Sequence, residues 1–395
     1  MTTTTPERFP RIDTDAPRYA VGLMAGTSLD GIDAALVRIE GVGDAIRIET
    51  LATHYMPYTP DEREGLLHLI QSGSLADLGA WDAYLGERFA QAAQAVIQRA
   101  APPRVDFVGS HGQTVWHAPN AQLLHTPTPN TLQIGQPDTI AARVGAPVIA
   151  DFRTRDMAHG GQGAPLVPIV DWLLLRSETE PRAALNLGGM ANLTLLPAHS
   201  PPDAIRAFDT GPANALIDLA VLQGTGGAQT YDRDGALATA GTAHTPLLDW
   251  LKAHPYFQLP PPKSTGREVF GEALLATIRT QFSNLPLPTL VATLTELTAR
   301  TIADALRRWV LPTCPLKRII VSGGGLHNPV LMGRLKAHLP NLAFESSAAY
   351  GIDPDFKEAI AFAVLADRFL QGLPATYPNT TGVRHPTRAG KLVLP

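Results

Sequence analysis

The chain has 395 residues, with 32 Lys and Arg against 36 Asp and Glu and a formal net charge of −4. That near balance excludes the electrostatic footprint of a nucleic-acid binder or a polybasic membrane-surface protein. Hydrophobic residues make up 45% of the chain, and its length exceeds the roughly 250–300 residues at which a single core stops growing, so two lobes are expected.

Cys314 is the only cysteine, which rules out an intramolecular disulfide or a multi-cysteine metal site. No run approaches the ~20 apolar residues of a membrane span; the best, 166–175, is interrupted by Pro168 and Asp171. Residues 1–17 are Thr-rich and lack a signal-type apolar segment, so they are expected to form a flexible tail on a soluble, reducing, cytoplasmic protein.

In chain order, 19–24 reads as a strand and 25–28 as a turn. Residues 34–40 alternate apolar with polar as a second strand, and 46–54 read as a third. Strands joined by such short turns must be antiparallel. From Leu78, apolar Trp81, Leu85, Phe89, Ala92 and Val96 recur at helical spacing. A buried strand at 105–109 ends in Ser110-His111-Gly112-Gln113, the Pro- and His-rich 117–130 reads as a loop or loose hairpin, and 146–150 reads as a strand. The second half starts alike. Strands are expected at 183–187, 191–196 and 204–208, a helix from Pro212, a long helix at 290–309 and a strand at 318–321. Helices from Pro329 and over 356–370 complete the chain. Two β-meanders, each followed by strands alternating with helices, lie about one domain length apart. They imply a pair of similarly built α/β lobes with a cleft between them.

Small and polar residues crowd the first strand end: Gly26, Thr27, Ser28, Leu29, Asp30, Gly31, Ile32 and Asp33. Glycine lets backbone approach a ligand closely, and successive N–H groups in such a turn form an anion-binding concavity. Thr27 and Ser28 add hydroxyls, and Asp30 or Asp33 suits Mg²⁺. A plain hairpin turn fits the same residues. Asn186, Gly188, Gly189 and Asn192 occupy the matching place in the second half, and Gly323, Gly324, Gly325 and Asn328 form a third glycine turn, suited to a base and ribose. No G-x-x-x-x-G-K-[ST] is present, and Lys263-Ser264-Thr265 lacks the upstream glycine loop of a phosphate-binding motif.

Asp209, in Phe208-Asp209-Thr210-Gly211-Pro212-Ala213-Asn214, reads either as a helix N-cap or as a carboxylate poised to take a proton. None of the 12 histidines has zinc-motif spacing. His111 is the best ligand contact among them, with an ordinary hydrogen-bonded histidine as the alternative. Arg153, Arg155 and Asp156 suit either an anionic substrate or ion pairs between the lobes.

The ordered segments GTSLDGID, GSHGQT, QIGQP, ADFRTRD, GGQGAPLVP, NLGGMANLT, FDTGPAN, YDRDGALA, PKSTGRE, VSGGGLHNP and YGIDPDFKEAIAF closely resemble the anhydro-N-acetylmuramic acid kinase family, over about 19–392. The resemblance implies the sugar kinase, Hsp70 and actin superfamily: two ribonuclease-H-like lobes with an inter-lobe nucleotide and sugar cleft. The lobes it implies are lobe I over 18–152, with 375–395 returning to it, and lobe II over 153–374. It implies ATP and Mg²⁺ as cofactors, with Asp30 as metal ligand. The two hairpin tips and Gly323–Gly325 would hold the nucleotide, and Asp209 would be the base. The implied reaction uses ATP to phosphorylate 1,6-anhydro-N-acetylmuramic acid while water opens its internal bond, giving N-acetylmuramic acid 6-phosphate in peptidoglycan recycling. The expected sugar contacts are His111, Gln113, Arg153, Asp156, Gly211, Asn214 and Glu358, the last equally suited to a helix surface. A homodimer is expected, with no nucleic-acid or membrane partner. A kinase for a sugar with a free hydroxyl and an ATP-switched binding protein are the rival readings.

Overall fold

Alternating apolar side chains and short turns build a meander of β1 (Arg18–Ala25), β2 (Gly31–Glu40) and β3 (Arg47–Pro57), antiparallel as expected. The computed structural model describes residues 12–119 and 128–395. β4 (Phe107–Ala118) and β6 (Val148–Ala150) continue the sheet in parallel beside β1. β5 (Asn130–Ile134) pairs back on β4, and β12 (Lys391–Val393) closes the far edge. The strand expected at 105–109 therefore runs on to Ala118, carrying His111 and Gln113 within it, because β5 supplies partners for the extension. Residues 120–127 of the expected 117–130 loop lie outside the described residues, as do the first eleven of the expected tail.

Helices cover this sheet. The expected amphipathic helix spans Leu75–Ala100 and buries Leu85, Phe89, Ala92 and Val96, with Ser74 and Asp77 in a capping box. An additional helix, Pro60–Ser72, starts at a second capping box of Thr59 and Glu62, with Pro60 in its first turn. The helix Lys357–Leu370 approaches the sheet at a glycine pair. Gly22 of β1 and Gly109 of β4 stand side by side in register. A Cβ on Gly22 would lie 1.8 Å from the Ala359 carbonyl oxygen, and one on Gly109 2.1 Å from that of Phe362. Only backbone without a side chain lets the helix come so near.

That packing sets the division of the chain. One compact unit runs through Leu166 and includes Glu358–Pro378 and Val383–Pro395; the other is Val167–Lys357 with Asn379–Gly382. Residues 153–166 and most of the helix Lys357–Leu370 thus sit in the first unit rather than in the expected second lobe.

The second unit repeats the plan. β7 (Arg182–Leu187), β8 (Met190–Leu196) and β9 (Arg206–Pro212) form an antiparallel meander. β10 (Arg318–Ser322) and β11 (Ala343–Ser346) add in parallel beside β7. The strand order is β11-β10-β7-β8-β9 here and β6-β4-β1-β2-β3 in the first unit, so each unit has the ribonuclease-H-like arrangement. β9 extends four residues beyond its expected end, and its following helix begins at Asn214 rather than Pro212. The long helix spans Leu287–Ala305 and loosens into a π-turn at Leu306–Val310. Among the described residues, no helix is long and apolar enough to cross a membrane.

Candidate active site

In the first unit, the turn after β1 is held from below. Gln113, fully buried on β4, donates from Nε2 to the Gly26 carbonyl at 3.0 Å and accepts from the Tyr58 hydroxyl at 3.2 Å. The Gly26 peptide is trans, so fixing its carbonyl turns the Thr27 N–H to the opposite side. Leu29 adopts a left-handed φ of 55°, and the Asp30 carbonyl accepts from the Tyr58 N–H and the Tyr55 hydroxyl. Burial, then the Asp30 and Asp33 carboxylates, push the Tyr55 phenol up to about 12. Two carboxylates that jointly raise a neighbouring phenol make a negative field suited to a divalent cation. No group of three or more ligating side chains forms a metal cage among the described residues. Mg²⁺ commonly takes one or two carboxylates and completes its shell with water and phosphate oxygens. The Asp30 carboxylate is exposed and accepts from Ser28.

His111 is buried on β4. Its Nδ1 donates to the Gly112 carbonyl at 2.8 Å, and Nε2 accepts from Arg153 Nε at 2.9 Å. Burial, reinforced by the Arg153 charge, holds it well below the usual histidine range, hence neutral. Burial and Arg153 also bring His117 down to about 4. Arg153 further donates to the Gly163 carbonyl at 2.7 Å. Asp156 is fully buried, accepts from the Gly163 N–H at 2.8 Å, and lies where a Gly161 Cβ would be. Gln113, His111 and Asp156 therefore brace the backbone of this unit, and Arg153 ties β4 to the loop at Gly163. Glu358 is partly exposed at the start of the helix Lys357–Leu370.

In the second unit, the β7–β8 tip docks on a helix start. The Gly189 carbonyl accepts from the N–H groups of Ala213 and Ala215, and the Gly188 carbonyl accepts from Asn214, all at 3.0 Å. These bonds satisfy donors that a helix N-terminus leaves unpaired. They also turn the Gly189 and Met190 N–H groups the other way, because the peptides are trans. Asn214 donates from its amide to the Leu187 carbonyl at 2.9 Å. Gly323–Gly325 lie against the same tip: a Cβ on Gly323 would reach Asn186 Oδ1 at 2.6 Å, and one on Gly325 would reach Leu187 Cβ at 2.7 Å. Gly188 and Gly324 are different, since a Cβ there would meet nothing nearer than 3.5 and 3.9 Å. Protein packing does not require glycine at those two positions; a flat ligand against the backbone would. Asn328 Oδ1 caps the helix Pro329–His338, which commits its amide oxygen to the fold.

Asp209 lies inside β9 opposite Asn192. Because the helix begins at Asn214 and its cap residue is Ala213, Asp209 is not an N-cap. The pairing jumps from Asn192–Asp209 to Ala191–Gly211, so Thr210 is the extra residue of a bulge. Bulges locally kink a strand and re-aim side chains. Gly211, at φ 143°, could not carry a side chain, whose Cβ would stand 2.7 Å from the Phe257 ring.

A segment without a recognisable nucleotide motif clamps Asp209. Its N–H donates to the Lys263 carbonyl at 2.9 Å, its Oδ2 accepts from the Thr265 N–H at 2.9 Å, and its carbonyl accepts from the Tyr256 hydroxyl at 2.7 Å. The Lys263 ammonium bonds the Tyr256 carbonyl at 3.1 Å and stands 4.5 Å above that ring. Burial, then Arg308, lowers Lys263 to about 8 against the opposing pull of Asp209. Sequence reasoning missed Tyr256, Lys263 and Thr265 as neighbours of Asp209; the signal was the prolines before Lys263, which stiffen a loop crossing β9. Asp209, Asn192, Gly188, Gly189, Asn214 and Gly323–Gly325 all belong to this second unit, whereas Gly26–Asp33, His111, Gln113, Arg153, Asp156 and Glu358 belong to the first.

A held carboxylate and outward N–H groups from glycine tips are the equipment of phosphoryl transfer, where positioning and charge stabilisation do most of the work. The model of the family described as anhydro-N-acetylmuramic acid kinase matches residues 18–394. A protein of that name from Xanthomonas campestris pv. campestris (strain 8004) is 46% identical over 96% of this chain and 98% of its own. One from Gloeobacter violaceus is 45% identical, covering 93% and 96%. Another, from Caldanaerobacter subterraneus subsp. tengcongensis, is 38% identical over 98% of this chain and 100% of its own length. With a match running from β1 to β12, this chain belongs to the anhydro-N-acetylmuramic acid kinase family.

Proposed function

We propose that the protein transfers the γ-phosphoryl group of ATP to 1,6-anhydro-N-acetylmuramic acid while water opens the anhydro bond, yielding N-acetylmuramic acid 6-phosphate in cytoplasmic peptidoglycan recycling. The family match over residues 18–394 carries this reading. Asp209 takes a proton from the attacking water, whose oxygen bonds to the anomeric carbon. The bridging bond from that carbon breaks, and the six-position oxygen it releases accepts the phosphoryl group. A bicyclic acetal has no hydroxyl at that position, so ring opening must generate the nucleophile. The Thr265 N–H and the backbone anchors from Lys263 and Tyr256 hold the carboxylate to one orientation, which is how a positioned base gains its advantage.

The N–H groups of Thr27, Gly189 and Met190 at the glycine tips are suited to the triphosphate, and Gly324 to the adenosine. Asp30 would hold Mg²⁺, which when bound neutralises charge on the phosphates. Arg153, held in place by His111 Nε2, is suited to the sugar's acidic side chain, and a homodimer, as expected of the family, is part of the same proposal. ADP formation should require the anhydrosugar and yield a sugar 6-phosphate. N-acetylmuramic acid, with its six-position hydroxyl already free, should support little ADP release. Faster turnover with that free sugar, or equal ADP release with no sugar, would overturn the proposal in favour of an ordinary kinase or an ATP-switched binding protein respectively.

A further inference from the structure

The second unit has a cavity of about 420 Å³ lined by Lys252, Lys263, Arg307 and Arg308, with Trp309 and Asp304 beside them. We propose that it is a binding site for a small phosphate-bearing anion; Thr210, next to Asp209, also lines it, and none of the residues assigned to the nucleotide does.

The cavity carries more positive than negative charge. Among the described residues Asp304 is the only carboxylate lining it, and it already serves two cations: Lys252 at 2.8 Å and Arg307 at 3.7 Å. Arg308 bonds a neutral partner, Gln258 Oε1, at 2.6 Å and lies 4.6 Å over the Trp309 ring. Lys263 is 7% exposed, and its ammonium bonds the neutral Tyr256 carbonyl and stands over that ring. Arginines in the last turn of a helix also offset its dipole, but that end carries only about half a negative charge, which leaves most of the excess standing. The Arg308 charge depresses Lys263, so the two cations repel each other across this space. A dianion would relieve that repulsion.

The geometry suits phosphate. Arg308 and Arg307 stand on the π-turn Leu306–Val310 at the end of the long helix, a backbone form that often marks functional positions. Guanidinium groups match phosphate oxygens in pairs, and a lysine adds a point charge. The volume admits free phosphate or a phosphate carried on a sugar.

Acylation of Lys263 near pH 8, mapped by mass spectrometry, reads this site directly because only the uncharged amine reacts. Excess ADP keeps phosphate out of the nucleotide positions. Inorganic phosphate or glucose 6-phosphate should slow Lys263 labelling about fivefold, the fall in its uncharged fraction at pH 8 when a pKa of about 8 rises by about one unit. Protection at lower glucose 6-phosphate than phosphate assigns a sugar phosphate, and the reverse assigns the free ion; either supports the site. Lys252→Gln and Arg308→Gln should each weaken the protection while leaving the melting temperature near wild type. Unchanged labelling with both probes, or equal protection by chloride at matched ionic strength, would overturn the proposal.

Discussion

Asp209→Asn is expected to lower kcat by about 10²–10⁴, the usual contribution of a positioned general base, while ATP affinity stays near wild type. The substitution keeps the size of the side chain and an oxygen able to accept from the Thr265 N–H, so the clamp survives and only the basicity is lost. ATP binding should be spared because the glycine tips take their shape from other bonds, Gly188 and Gly189 from the helix start at Asn214. Such a split, with kcat lost and nucleotide binding kept, identifies an interaction made in the transition state. Turnover within a few fold of wild type would remove Asp209 from the base role. An equal loss of ATP affinity would mean that the residue shapes the tip instead.

Arg18→Met should destabilise the fold by about 3–5 kcal/mol, the cost of leaving a buried charge without its partner. Arg18 is 1% exposed and Asp367 is fully buried; they meet at 2.7 and 3.2 Å, and Arg18 also donates to the Gly41 carbonyl at 2.8 Å. Burial pushes the Asp367 carboxyl up, and Arg18 works against that rise. Without the guanidinium, the carboxyl rises further, and the folded state holds its proton more tightly than the unfolded state does. The sign follows: the variant's deficit against wild type should be smallest at acid pH and should grow as pH rises through the folded pKa. Paired Arg18→Met and Asp367→Leu should recover most of the loss, because the uncompensated charge is then gone. Denaturant melts at two pH values check all three points. A deficit that is flat with pH, or a double variant no better than the single, would place the stabilisation in packing rather than charge.

Both meanders were legible because alternation is a local signal and their turns are too short for any other connection. The amphipathic helix was legible for the same reason: Leu85, Phe89, Ala92 and Val96 repeat at its pitch and are all buried. What the pattern could not carry was non-local. The helix Lys357–Leu370 joins the first unit because Gly22 and Gly109, distant in sequence, fall side by side on neighbouring strands and bare a shallow track for Ala359 and Phe362. Asp209 resembled an N-cap because Pro212 mimics a helix start. The Thr210 bulge, created by pairing with β8, keeps the chain extended instead. Asp209, Gly188, Gly189 and Gly323–Gly325 were recognised from their segments, but the clamp from Tyr256, Lys263 and Thr265 depends on a loop about fifty residues downstream. His111, Gln113 and Asp156 drew attention as polar residues among glycines, and their bonds show that much of that polarity braces the backbone.

Oxygen-18 water separates the coupled reaction from every simpler kinase. With ATP, Mg²⁺ and the anhydrosugar, product taken in the first turnovers should carry the heavy oxygen at the anomeric carbon and phosphate at the six-position. A control of finished product in the same water corrects for spontaneous exchange. Product with no label beyond that control would contradict the account, since the oxygen could not then have come from a water activated by Asp209.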